Sequence, residues 1–271
     1  MPNRPYFKNL VFAEKDAEIF SKEIASRQKA LGQQTDVIEP LYSEAAQKET
    51  IVAALKKLAG QVKPEDSVVI FFSGHGKATK DGRFYLIPTD IGYQTMDEIL
   101  QHSISDLELE EIFRSMDAGQ ILLIIDACNS GQALGAEDAR RGPMNSPGLG
   151  QLAYEKGMYV LAAAQGWEAA TEQKQLGHSL FTYVLLEGLT AKADTDAPLG
   201  QITTKKWFDY AVRTVPNKQR EMIGESEKQG KQLSFVDGQK GSGDPLQTPR
   251  VFYRREADAH PFVVTSLSPR Q

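Results

Sequence analysis

A mainly parallel α/β fold is predicted by three short apolar runs and by what separates them. Residues 68–72 read Val-Val-Ile-Phe-Phe, residues 121–125 read Ile-Leu-Leu-Ile-Ile, and residues 158–164 form a third run. None alternates apolar with polar, which is the pattern of strands buried on both faces. Amphipathic stretches with helical spacing lie between them, and strands joined through helices pair in parallel by crossover connections.

In chain order, residues 11–31 carry Ala17, Phe20 and Ile24 at helical spacing and stop at Gly32. A second helix is expected over residues 45–59, with Ile51, Val52, Leu55 and Leu58 on one face and Gly60 after it. Residues 64–66, Pro-Glu-Asp, break the chain before the first buried strand. Residues 83–87 read as a short strand closed by Pro88. Ser105 and Glu108 fit a capping box opening a helix with Leu109, Ile112, Phe113 and Met116. Further helices are expected over residues 178–189 and 204–215. Gly- and Pro-rich composition marks residues 132–150 and 224–249 as mobile loops of a single domain spanning residues 1–271.

The formal charge of −5 argues against general nucleic-acid binding, which depends on neutralising phosphates, and suits basic peptides better. The single cysteine, Cys128, excludes an internal disulfide and favours a reducing, cytoplasmic setting. No run reaches the roughly 18 apolar residues of a membrane helix, and no signal peptide is evident. No membrane partner is expected, and the oligomeric state is not legible.

Ligands of open parallel sheets bind beyond the carboxyl ends of the strands. The first buried strand ends in Ser73-Gly74-His75-Gly76, and the second in Asp126-Ala127-Cys128-Asn129. Short loops from neighbouring strands bring a thiol and an imidazole within reach, which is what nucleophilic catalysis needs. The flanking glycines are expected to let a substrate backbone approach.

These two motifs resemble the His and Cys motifs of the caspase-like superfamily, and their separation of 53 residues fits the spacing of about 50 found in caspases. The resemblance is strongest to the bacterial metacaspase-like, or orthocaspase, branch of peptidase family C14. It extends to residues 12–17, 177–182 and 248–252. It implies a caspase-like three-layer sandwich and a cysteine endopeptidase with His75 and Cys128 as its dyad. The oxyanion would be held by the backbone N–H groups of Gly76 and Cys128. The family has a strand before its first helix; here only residues 1–9 precede the helix, so the first strand reads as missing or replaced.

The resemblance also implies specificity. An Asp two residues before the cysteine, here Asp126, contributes in metacaspase-like enzymes to a pocket that accepts Arg or Lys, and a carboxylate pairs well with a guanidinium. The other reading of Asp126 is a cap on backbone N–H groups after the strand. Glu168 is the choice for a second pocket acid, with Glu172 the alternative, and Trp167 either lines the pocket or anchors its loop. Arg141, or Arg140, is the expected site of self-cleavage within residues 132–150. The competing function is a non-catalytic interaction or scaffold module. His178 is read as structural. No metal-ligand spacing is present and no cofactor is expected. Asp90, Asp97 and Glu98 lack the order of a calcium loop, so calcium stimulation has no clear motif behind it.

Overall fold

The structure, a computed structural model, describes residues 10–79, 81–91, 95–129, 147–163, 176–193, 200–228, 246–253 and 261–267. A six-stranded sheet carries strands β1 (Ser67–Ala78), β2 (Phe84–Ile87), β3 (Ile104–Ser105), β4 (Gln120–Asn129), β5 (Tyr159–Ala162) and β7 (Arg250–Phe252), in the order β3-β2-β1-β4-β5-β7. The three predicted apolar runs form its centre, where β1, β4 and β5 are mutually parallel. The shorter outer strands β2, β3 and β7 add antiparallel.

Helices cover both faces. On one, α1 (Ala13–Ala30), α6 (Leu180–Gly188) and α7 (Thr204–Lys228) pack Phe20, Ile24, Phe181 and Trp207 against Leu122, Ile124 and Tyr159. On the other, α2 (Lys48–Ala59), α4 (Asp106–Ser115) and α5 (Pro147–Lys156) pack Leu55, Leu109, Phe113 and Ala153 against Ile121, Leu123 and Ile125. Even-numbered residues of β4 thus face one helix layer and odd-numbered ones the other, the period of two expected of a strand. The layered α/β architecture is the predicted one. So is the capping box: Ser105 Oγ accepts the Glu108 N–H at 3.2 Å, and Glu108 Oε2 accepts the Ser105 N–H at 2.9 Å.

Several elements depart from expectation. The helix predicted to end at Val215 continues through Pro216 to Lys228. Tertiary contacts outweigh the lost backbone N–H: Met222 packs on the core, and Gln219 Oε1 accepts the Gln247 N–H at 2.5 Å. The segments expected as mobile loops over 132–150 and 224–249 begin or end in regular structure. Residues 147–150 open α5, and residues 224–228 close α7, because each continues a helix whose body is anchored on the core. Helix α3 (Met96–Gln101) and a separate pair, β6 (Gln201–Thr203) with β8 (Val263–Ser266), were not foreseen. That pair is tied to α1 by the Gln28 side-chain amide, which donates to the carbonyls of Val263 and Val264 at 3.0 and 2.8 Å. Among the described residues no helix is long and apolar enough to cross a membrane.

Candidate active site

The register of the central strands sets the site. β1 and β4 pair in parallel over ten positions, with Ser73 opposite Asp126, His75 opposite Cys128 and Gly76 opposite Asn129. The two candidate catalytic residues therefore occupy one rung of the ladder, at the carboxyl ends of adjacent parallel strands. Position 75 follows Val69 and Phe71 in the strand alternation, and position 128 follows Leu122, Ile124 and Asp126. This rung therefore falls, by strand alternation, on the α1–α6 face of the sheet.

Gly74 and Gly76 answer to a packing need that the sequence did not show. A Cβ at Gly74 would lie 2.8 Å from the ring of Phe72, and one at Gly76 would lie 2.9 Å from the ring of Phe84 and 3.2 Å from the Ala127 Cβ. Both glycines make room for aromatic packing on the opposite face of the sheet.

Asp126 lies on the α1–α6 face and is buried. Its Oδ2 accepts hydrogen bonds from Ser179 Oγ at 2.5 Å and Thr182 Oγ1 at 2.8 Å. Burial pushes its carboxyl up to about 6; the two hydroxyls oppose that shift, and the nearby Asp16 carboxylate adds to it. Asp16, near the start of α1, is a second buried acid that sequence reasoning missed. It accepts the Ser179 backbone N–H at 2.9 Å and is hydrogen-bonded to His178 Nδ1 at 2.6 Å. Its carboxyl is also raised by burial, against the opposing pull of those partners. His178 is thereby tied to the start of α1. Two buried carboxylates share one end of the sheet face, and among the described residues no Lys or Arg pairs with either. Such a pair is unfavourable when both are charged and improves when a cation enters.

Trp167, Glu168, Glu172, Arg140 and Arg141 lie outside the described residues. Asp90 and Glu98 serve local backbone: Asp90 Oδ1 accepts the Lys48 N–H at 3.3 Å, and Glu98 completes the capping box of α3 with Thr95. Among the described residues no cluster of three or more His, Cys, Asp or Glu side chains is arranged to hold a metal ion.

Residues 14–137 match the family model of the metacaspase, peptidase C14 domain. Metacaspase-1 of the yeast Debaryomyces hansenii is 33% identical over 90 residues, which are 32% of this chain and 20% of that protein. The match therefore spans about one fifth of the relative's length. The crystal structure of protein GSU0716 from Geobacter sulfurreducens superposes with a TM-score of 0.50 at 16% identity, covering 89% of this chain and 83% of that one. That likeness concerns the fold.

Proposed function

We propose that this chain, whose residues 14–137 match the metacaspase, peptidase C14 domain, is a cysteine endopeptidase that cleaves after Arg or Lys. The observation behind the reading is the rung His75–Cys128 at the ends of two parallel strands, beside two buried acids on the same face. His75 takes the proton of the Cys128 thiol, and the thiolate attacks the scissile carbonyl carbon. The tetrahedral oxyanion is received by the backbone N–H groups of Gly76 and Cys128. The C–N bond then breaks, and His75 returns its proton to the leaving amine, giving a thioester on Cys128. Water hydrolyses the thioester and restores the thiol.

Specificity is assigned to Asp126, with Asp16 beside it. A guanidinium or ammonium entering this end of the sheet face neutralises carboxylates that burial makes costly to ionise. An Asp side chain would add a third negative charge and be repelled. Glu168 and Trp167 are retained as candidates for the rest of the pocket, and Arg141 or Arg140 as the site of self-processing. Steady-state cleavage of fluorogenic peptides differing only in an Arg, Lys or Asp at the cleaved position tests the reading. Turnover of the Arg and Lys peptides alone is expected, and efficient cleavage after Asp would refute the pocket assignment.

A further inference from the structure

Lys77 follows His75 by two residues in β1 and is only 6% exposed, although lysine is seldom buried. Its neighbours fix its face of the sheet. A Cβ at Gly76 would meet the Phe84 ring and the Ala127 Cβ, and Ala78 belongs to the core beneath α2 and α4. Lys77 alternates with both, so it stands on the α1–α6 face with His75. Strand rise puts the Cα atoms of positions 75 and 77 about 6.6 Å apart, and strand spacing puts position 128 about 4.8 Å from position 75. Lys77 is therefore diagonal to Cys128 across the ladder, at about 8 Å between Cα atoms.

Among the described residues, acids dominate the rest of this end of the face. Asp126 precedes Cys128 by two residues, and Asp16 stands beside it through Ser179, whose N–H and hydroxyl bond to Asp16 and Asp126. His178 is bonded to Asp16, and Lys15 Nζ donates to the Gly177 carbonyl at 2.9 Å. Tyr85 faces Lys77 across the β1–β2 ladder. Asp97 and Glu98 of α3, and His102 after it, are exposed to solvent. Carboxylates near a thiol and an imidazole hold protons on both. A buried ammonium acts in the opposite sense, and burial leaves it little screened by salt. We propose that Lys77 is an electrostatic positioning residue of the Cys128–His75 pair: its charge offsets the neighbouring acids, so that the pair reaches its reactive, one-proton state at a lower pH than the acids alone would allow. This inference rests on the dyad proposed above.

Cys128 is the only cysteine of the chain, so its titration is read without interference. Alkylation by iodoacetamide is followed by intact mass against pH in wild type, Lys77→Met, Lys77→Gln and Lys77→Arg, with circular dichroism to check folding. The midpoint should rise by at least about one pKa unit in the Met and Gln variants, as expected for loss of a charge about 8 Å away, and Arg should restore it. The acid limb of kcat/KM for an Arg peptide should move up with it. An unchanged midpoint in a folded neutral variant, or an Arg variant that behaves like Met, would overturn the proposal. Wild type supplies a reading that needs no variant: Cys128 should titrate below the ordinary thiol value of about 8.5, and a midpoint at or above it would also overturn the proposal. Alkylation requires no turnover. A shifted midpoint in a chain that cleaves nothing would therefore sink the peptidase reading alone, and an unshifted one in a chain that cleaves would sink the role of Lys77 alone.

Discussion

Replacing Asp126 by Asn should make the protein more stable and less active at once. The carboxyl sits at about 6 in the folded protein against 3.8 as its ordinary value. At about 1.4 kcal/mol per pKa unit, that difference corresponds to about 3 kcal/mol disfavouring the folded state once Asp126 is ionised. The sign follows from proton counting. Between pH 4 and 6 the folded chain holds a proton on Asp126 that the unfolded chain has released, so stability falls as pH rises through that window. The full cost is present at pH 7 and absent below about pH 4. Asn keeps an oxygen for the Ser179 and Thr182 hydroxyls and carries no charge, but its buried amide N–H groups cost about 1 kcal/mol. The net gain expected at pH 7 is about 2 kcal/mol. Urea denaturation of wild type and Asp126→Asn at pH 4 and pH 7 measures it, and the difference between the two proteins should favour Asn at pH 7 and fade or reverse at pH 4. Cleavage after Arg should fall at least tenfold in the same variant, since losing a buried charge partner costs about 2–5 kcal/mol. A variant that is less stable than wild type at pH 7 and retains full activity on Arg peptides would refute both the electrostatics and the pocket.

Other expectations concern neighbouring residues. His75→Ala should lose peptidase activity while its far-ultraviolet circular dichroism and melting temperature stay close to wild type. Agmatine should bind the Cys128→Ala chain more tightly as pH rises through about 6, the range in which Asp126 ionises, and this dependence should vanish when Asp126→Asn is added; calorimetry at pH 5 and pH 7 reads it. Gly76→Ala places a methyl group 2.9 Å from the Phe84 ring and should destabilise the fold by about 1–3 kcal/mol, measured as a lower melting temperature. Incubated wild type should split after Arg141 or Arg140, leaving Cys128→Ala whole; intact mass spectrometry showing no cut between residues 132 and 150 of the active protein would exclude self-processing by this route.

The central strands, and the strand-end places of His75 and Cys128, were legible because they depend on local pattern. Uninterrupted apolar runs mark buried strands, and the residues just beyond them mark the sheet end where ligands bind, so His75 and Cys128 stood out as candidates, which the resemblance of their motifs then singled out. Asp16 was not named, although a signal existed. It shares a helical stripe with Phe20, Ile24 and Gln28, all buried, and a carboxylate on such a stripe calls for an explanation. Its partners, His178 and Ser179, are more than 160 residues away in sequence, and no local pattern reveals that meeting. The extension of α7 past Pro216 and the pairing of β6 with β8 were hidden for the same reason: local signals favoured a stop or gave none, and distant packing decided. The glycines beside His75 were visible, but their reason was not, since it lies in the rings of Phe72 and Phe84 beneath the sheet.

The central claim, a Cys128-dependent endopeptidase specific for Arg and Lys, is tested most directly by digesting a peptide library of randomised sequence with wild type and with Cys128→Ala and sequencing the products. The account predicts cuts after Arg and Lys by wild type and none by the variant. Cuts of the same pattern by Cys128→Ala, or a wild-type pattern without preference for a basic residue at the cleaved position, would contradict it.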